Sequence, residues 1–176
     1  NVALWNGSSW TPLGSGLNEA VQSASVFDGK LIAGGGFTVA GQAAAIRIAS
    51  WDGSAWSALG TGMDLPVTAL TTYANKLIAG GYFGTAGGVP ALGVASWDGS
   101  SWSPLGSGMN SNVNALTVYN GMLVAGGQFT TAGGVAANRI ASWDGSSWLP
   151  LGSGMNNAVY ALTVYDNKLI AGGAFG

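Results

Sequence analysis

The chain has 176 residues, of which 48% are hydrophobic, only 7% are charged and 31 are glycine. This composition is too apolar for a disordered chain and too rich in turn residues for a helical one, so it predicts a single compact all-β domain. The formal net charge is −2 and the five basic residues are scattered, which argues against the basic stripe that a nucleic-acid partner requires.

A unit of 46 residues recurs along the chain and decides the predicted fold. Two series of tryptophans follow this spacing, one at Trp5, Trp51, Trp97 and Trp143 and the other at Trp10, Trp56, Trp102 and Trp148. Residues 97–130 and 143–176 are identical at 24 of 34 positions. Copies this similar are expected to form one supersecondary unit each and to bury their apolar faces against one another.

In chain order, the sequence predicts two strands, then repeated groups of four, then two more strands. The first pair is Val2–Trp5 and Trp10–Leu13, which correspond to the last two strands of a unit. The third unit shows the full pattern, with strands at Val113–Tyr119, Met122–Phe129, Asn138–Trp143 and Trp148–Leu151, separated by turn residues such as Asn120-Gly121. The last pair is Val159–Tyr165 and Lys168–Phe175, the first two strands of a further unit.

Four consecutive antiparallel strands with this period are typical of one blade of a β-propeller. We therefore predict a single repeat domain at 1–176, with an outer half-blade at 1–14, blades at 20–60, 66–106 and 112–152, and an inner half-blade at 158–175. The second strands carry Ala-Gly-Gly, whereas the outer strands carry tryptophan. Because blades nearly touch at the axis and diverge at the rim, we expect all eight tryptophans in the core.

The two ends of the chain are complementary halves of one blade. Pairing them within one molecule would give four blades, whereas pairing them between two molecules would give an eight-bladed homodimeric ring. The small inner residues favour the flatter packing of the dimer. A piece cut from a longer array is an equally simple alternative, and near-identical units also fit recent duplication or engineering.

The pattern Tyr119-Asn-Gly-Met-Leu-Val-Ala-Gly-Gly127, Ser142-Trp-Asp-Gly145 and Trp148-Leu-Pro-Leu151 resembles the kelch repeat over the whole chain. It is most similar to the kelch-like propellers of bacterial and fungal surface proteins, related to the central domain of galactose oxidase. The third-strand aromatic is tryptophan rather than tyrosine and the unit is slightly short. The resemblance implies an extracellular or cell-surface protein.

Catalysis is not expected from the residues present. Propeller oxidases of the galactose oxidase kind need histidine and cysteine at a copper site, and this chain has neither; propeller sialidases need three arginines, and only Arg47 and Arg139 exist. Asp52, Asp98 and Asp144 are copies of one hairpin turn, which predicts a turn-forming role. We predict no enzyme activity, no cofactor and no metal site. Apolar runs are far below the roughly 20 residues that span a bilayer, so we expect no membrane insertion.

Positions that differ between copies indicate where a ligand would bind, because the blade itself does not dictate them. They concentrate at the start of the first strand and the end of the second, which antiparallel pairing places at one end of each blade, with the connections 106–112 and 130–137. We call this end the variable face. The predicted ligand-binding residues are Gln22, Thr68, Tyr82, Asn112, Asn114, Gln128, Asn157 and Tyr160.

These neutral hydrogen-bonding and aromatic side chains suit a saccharide, so the sequence favours a non-catalytic recognition module for a glycan or a protein. Drift at weakly constrained positions explains the same variation. The alternative function is a structural or assembly repeat, or an engineered propeller with no natural ligand.

Overall fold

The computed structural model describes residues 2–176, which form 22 strands; the predicted outer half-blade therefore includes one residue, Asn1, outside the described part. Three complete four-stranded antiparallel sheets are the first, second and third blades. The first blade contains β3 (Val21–Phe27), β4 (Lys30–Gly35), β7 (Ile48–Trp51) and β8 (Trp56–Ala58). The second contains β9 (Val67–Tyr73), β10 (Lys76–Gly81), β13 (Val94–Trp97) and β14 (Trp102–Pro104). The third contains β15 (Val113–Tyr119), β16 (Met122–Gly127), β19 (Ile140–Trp143) and β20 (Trp148–Pro150).

The remaining strands form two-stranded sheets. The N-terminal half-blade pairs β1 (Ala3–Trp5) with β2 (Trp10–Pro12), and the C-terminal half-blade pairs β21 (Val159–Tyr165) with β22 (Lys168–Gly173). Three small hairpins join the second and third strands of the blades: β5–β6 (Val39–Ala40, Ala43–Ala44), β11–β12 (Thr85–Ala86, Val89–Pro90) and β17–β18 (Thr131–Ala132, Val135–Ala136). Within residues 2–176, no helix is long and apolar enough to cross a membrane.

Strand boundaries differ from the prediction near the variable face. The strand predicted to end at Phe129 ends at Gly127, and the one predicted to begin at Asn138 begins at Ile140. Beyond the regular ladder the two segments are joined by a separate hydrogen bond, from the amide of Arg139 to the carbonyl of Phe129 (2.8 Å). The intervening hairpin was predicted as a loop, because strands of two residues are too short to show an alternating pattern.

Neighbouring blades approach closely at the glycines of their second strands. A Cβ at Gly126 would lie 2.6 Å from Cγ1 of Val159, closer than real side chains come. The same glycine-to-valine contact joins Gly34 to Val67 and Gly80 to Val113. The small residues lie where neighbouring blades approach most closely, as predicted, since any larger side chain would push the blades apart.

Tryptophans of the second series connect each blade to the one before it. Trp56, Trp102 and Trp148 are buried, and each indole Nε1 donates to a leucine carbonyl at the end of the preceding blade: Leu13 (3.0 Å), Leu59 (3.1 Å) and Leu105 (2.9 Å). A buried indole needs such a partner because an unpaired N–H is costly to desolvate.

The expectation that all eight tryptophans are core residues is wrong for the N-terminal half-blade. Trp5 and Trp10 are 50% and 68% exposed, although their ring centroids lie 5.4 Å apart with a tilt of 47°, as in the other pairs. Within residues 2–176 no blade packs against the outer face of this half-blade, so its tryptophans stay uncovered. Repeat position alone therefore did not determine burial.

The outer hairpins turn on an aspartate, as predicted. Oδ1 of Asp52 accepts from the amides of Ala55 (2.9 Å) and Ser54 (2.8 Å), and Asp98 and Asp144 form the same turn. The hydrogen bonds from these amides lower the pKa of Asp52 to about 2, and the bond from Ala55 has the largest effect. Equivalent hydrogen bonds lower the pKa of Asp98 and Asp144. In the N-terminal half-blade the neutral Asn6 accepts the same two amide bonds.

We predict that these turns make stability sensitive to acid. Because the folded-state pKa is depressed, their stabilisation is present at neutral pH and is lost as pH falls from about 4 through the folded value. A variant with Asp52, Asp98 and Asp144 changed to Asn keeps the acceptor, as Asn6 shows, but cannot titrate. Its melting temperature between pH 5 and pH 2, measured by circular dichroism, should fall less than that of the parent. An equal fall in both proteins would contradict this assignment.

Candidate functional site

The starts of the first strands and the ends of the second strands lie together, as predicted, because Val113 pairs with Gly127 and the other repeats follow the same register. One side chain per repeat fastens the connections there. In the third repeat, Oδ1 of Asn110 accepts from the amides of Thr130 (2.8 Å) and Thr131 (3.0 Å). The variable face therefore rests on a hydrogen-bonded frame.

Four of the predicted ligand-binding residues share a backbone irregularity. Each is the extra residue of a β-bulge at the start of a first strand, where the pairing register shifts by one; they are Gln22, Thr68, Asn114 and Tyr160. A bulge redirects the side chain that it carries. The sequence identified these positions as variable but gave no sign of the bulge.

Two of the bulge residues bind the neighbouring blade. Oγ1 of Thr68 donates to the carbonyl of Val113 (2.6 Å), and Nδ2 of Asn114 donates to the carbonyl of Val159 (2.9 Å). These side chains bridge first strands, which gives them a structural role independent of any ligand. Gln22 and Tyr160 are exposed.

The other predicted residues line two cavities that occupy equivalent positions, one repeat apart. Tyr82 and Asn112 line a cavity of about 270 Å³ between the second and third blades. Gln128, Asn157 and Tyr160 line a cavity of about 350 Å³ between the third blade and the C-terminal half-blade, which we call the Arg139 cavity. The structure thus brings five of the eight residues to the inter-blade clefts of one face.

Three residues that line the Arg139 cavity were not among the predicted ligand-binding residues: Ser111, Arg139 and Ala158. Arg139 has a φ of 65°, and its Nη1 donates to the carbonyls of Gln128 (2.8 Å) and Phe129 (3.2 Å). The equivalent residue of the second repeat is Gly93, with a φ of 69°. One repeat position holds arginine in two repeats and glycine in the third, a pattern that is visible in the sequence. It indicates a left-handed backbone, which glycine adopts readily and arginine does not. From the sequence, Arg47 and Arg139 were considered only as scattered basic residues and as too few for the arginine triad of a sialidase.

Nothing on this face suggests metal chemistry. Across residues 2–176, no group of three or more His, Cys, Asp or Glu side chains is placed to hold a metal ion. The polar groups in the cavities are amides, hydroxyls and one guanidinium, which bind ligands through hydrogen bonds and charge.

Comparison with solved structures identifies the fold. The chain is similar to the crystal structure of the computationally designed Ika4 protein, with 21% identity, a TM-score of 0.62, and coverage of 92% of this chain and 89% of that one. It is also similar to the computationally designed Ika8 protein, with 23% identity, a TM-score of 0.59, and coverage of 92% of this chain but 45% of that one. At these identities the comparison shows the fold alone. The predicted all-β fold of repeated four-stranded propeller blades is confirmed.

No protein-family model and no curated protein matches the chain.

We predict that Thr68 acts between blades rather than toward a ligand. Thr68→Val keeps the side-chain shape but leaves the Val113 carbonyl without its donor, so the free energy of unfolding should fall by about 1 kcal/mol. Thr72→Val, on the exposed outer part of the same strand, should change it by less than about 0.5 kcal/mol. Urea denaturation of the two variants measures the difference, and equal values would remove the bridging role.

Proposed function

We propose that this chain is a structural assembly unit, in which the half-blades of one copy pair with those of a second copy to close an eight-bladed ring. The observation that carries the proposal is a match between the two half-blades. The N-terminal one exposes its tryptophans, and the C-terminal one has no tryptophan over the position that one covers in the other blades. Both similar structures are of computationally designed proteins, and the chain spans about half of the Ika8 protein. That likeness supports a structural or engineered role.

The free strand edges match in register. In the first blade, β4 pairs with β7 through Leu31–Trp51, Ile32–Ser50 and Ala33–Ala49. Carrying this register over by the repeat period pairs β22 with β1 of another copy, through Leu169–Trp5, Ile170–Leu4 and Ala171–Ala3. An unpaired strand edge is a template for another strand, and this register puts the apolar side chains of β22 and β1 on the same faces as in a complete blade.

The side-chain surfaces also match. A Cβ at Gly106 would lie 3.2 Å from Trp143 of the next blade, and Gly14 and Gly60 face tryptophans in the same way, but a Cβ at Gly152 would meet nothing within 4 Å. The repeat period places the exposed Trp5 of a second copy over Gly152. It likewise places the indole of Trp10 at the carbonyl of Leu151. The equivalent leucine carbonyls accept from the indoles of the other outer-strand tryptophans.

Two copies are the number that fits. Within residues 2–176 the half-blades are separate two-stranded sheets, so each has a free strand edge that a second copy could pair with. Each chain has three complete blades and two halves, so two chains supply eight blades, at the upper end of the usual four to eight. Three chains would supply twelve.

We predict that a charge at Ile170 blocks assembly. Ile170 is 43% exposed, whereas its equivalents Ile32, Ile78 and Val124 are at most 1% exposed in complete blades. A lysine there would be buried in both junctions of the ring, at a cost of several kcal/mol each. Light scattering should therefore give twice the chain mass of 17.5 kDa for the parent protein and the chain mass for Ile170→Lys.

Val164→Lys is the matched control. Val164 is 41% exposed, but its equivalents Val26 and Val118 stay exposed in complete blades, so this lysine should leave the dimer intact. A monomeric parent, or equal effects of the two lysines, would contradict the assembly.

A cysteine pair at Leu4 and Ile170 distinguishes the two ways of closing. The chain has no cysteine, so the variant Leu4→Cys with Ile170→Cys introduces one cross-strand pair per junction. Oxidation should give a covalent dimer on a denaturing gel. A covalently closed monomer would mean that one chain forms a four-bladed ring.

A second proposed function is recognition of a glycan or protein at the variable face, outside the cell or at its surface, as in the kelch-like propellers that the repeat resembles. It is supported by the cavities that hold Tyr82 and Asn112 in one repeat and Gln128, Asn157 and Tyr160 in the next. A screen against neutral and acidic saccharides should give a signal that Tyr82→Ala with Tyr160→Ala abolishes. Silence from the assembled ring would leave assembly as the only function.

A further inference from the structure

We propose that the Arg139 cavity binds a carboxylate carried on a polar small molecule of the size and character of a hexuronic acid. The proposal names a ligand class for the second proposed function and is independent of ring closure, because the third blade and the C-terminal half-blade of one chain form the whole cavity. The three repeats contain three versions of this site, and their differences carry the argument.

Arg139 is a cation without a carboxylate of its own. Its Nη1 is held by the carbonyls of Gln128 and Phe129, which fixes the guanidinium at the cavity. Within residues 2–176, Arg139 forms no ion pair with an acidic side chain, so no carboxylate of the chain neutralises it. A positioned guanidinium with spare N–H donors matches the two oxygens of a carboxylate.

The first repeat shows the same arginine with an internal acid. Nη1 of Arg47 donates to the carbonyl of Gly36, and Oε2 of Glu19 lies 3.2 Å from where a Cβ of Gly36 would be. Glu19 corresponds by the repeat period to Ser111, which lines the Arg139 cavity. The first repeat therefore supplies a carboxylate where the third supplies a hydroxyl.

The second repeat has Gly93 in place of the arginine, and its cavity has no guanidinium. The left-handed conformation at this position suits glycine and is unfavourable for arginine. Arginine nevertheless occupies this position twice, at φ values of 67° and 65°. The backbone is strained at both sites, and each strained residue carries a guanidinium.

The remaining lining favours a carboxylate on a hydroxylated body. A single positive charge matches a monoanion better than a phosphate dianion. Ser111, Gln128 and Asn157 supply hydroxyl and amide groups, and the exposed ring of Tyr160 supplies an aromatic face. The volume of about 350 Å³ lies within the range of small-molecule sites.

Arginine side-chain NMR gives a direct test, because Arg47 and Arg139 are the only arginines and yield two Nε–Hε signals. Titration with glucuronate should shift the Arg139 signal saturably and leave the Arg47 signal in place. Glucose, the neutral control, should shift neither. Arg139→Gly removes its own side-chain signal, so binding to this variant is followed by the backbone amide shifts of cavity residues such as Gln128 and Tyr160. Those shifts should be absent in Arg139→Gly, which should still fold because Gly93 occupies the same position, and they should be retained in Arg47→Gly.

Ser111→Glu supplies the second variant, since it transfers the internal acid of the first repeat to the third. It should weaken glucuronate binding at least tenfold without altering the backbone spectrum. Equal shifts of both arginines, a response that does not saturate, or binding retained in Arg139→Gly would overturn the proposal. Equal responses to glucose and glucuronate would overturn the carboxylate requirement but leave saccharide recognition standing, whereas no response to any saccharide would remove both.

Discussion

The structure depends on how closely one blade approaches the next. Glycine on a second strand and valine on the following first strand meet at a distance that admits no further carbon atom, as at Gly126 and Val159. Further out, Trp148 donates to the Leu105 carbonyl and fills the wider space at the rim. These two contacts set the spacing between blades at the inner and the outer radius, and both recur with the repeat.

The sequence was sufficient to predict the blade because each of these contacts repeats every 46 residues. Prediction failed where a residue depends on something outside its own repeat. Trp10 occupies the same repeat position as Trp56 but is 68% exposed, since no blade packs over it within residues 2–176. The small hairpin at Thr131–Ala136 was missed for a different reason, namely that its strands are shorter than any periodic pattern.

The candidate site was only partly predictable for a related reason. Variation between copies identified Gln128, Asn157 and Tyr160, which the structure brings to one cavity, but it also selected Thr68 and Asn114, whose side chains bridge blades. A β-bulge decides where these side chains point, and bulges leave no clear mark in a single sequence. Arg139 was missed because its significance lies in backbone conformation, which becomes visible only when Gly93 is seen to share it.

The proposed ring would also explain how a chain with an unpaired strand edge at each half-blade avoids forming open filaments. The junction of β22 with β1 joins two different surfaces, and such a head-to-tail contact forms filaments unless the rotation closes. In the proposed ring, the blades of one chain would turn the free edge through about half of the circle, so a second copy that pairs with one end would already be placed at the other. The second junction then forms within the complex, where the effective concentration of its partner far exceeds that of a third chain. In the proposed ring, the geometry that repeats the blade would therefore also limit the assembly to two chains.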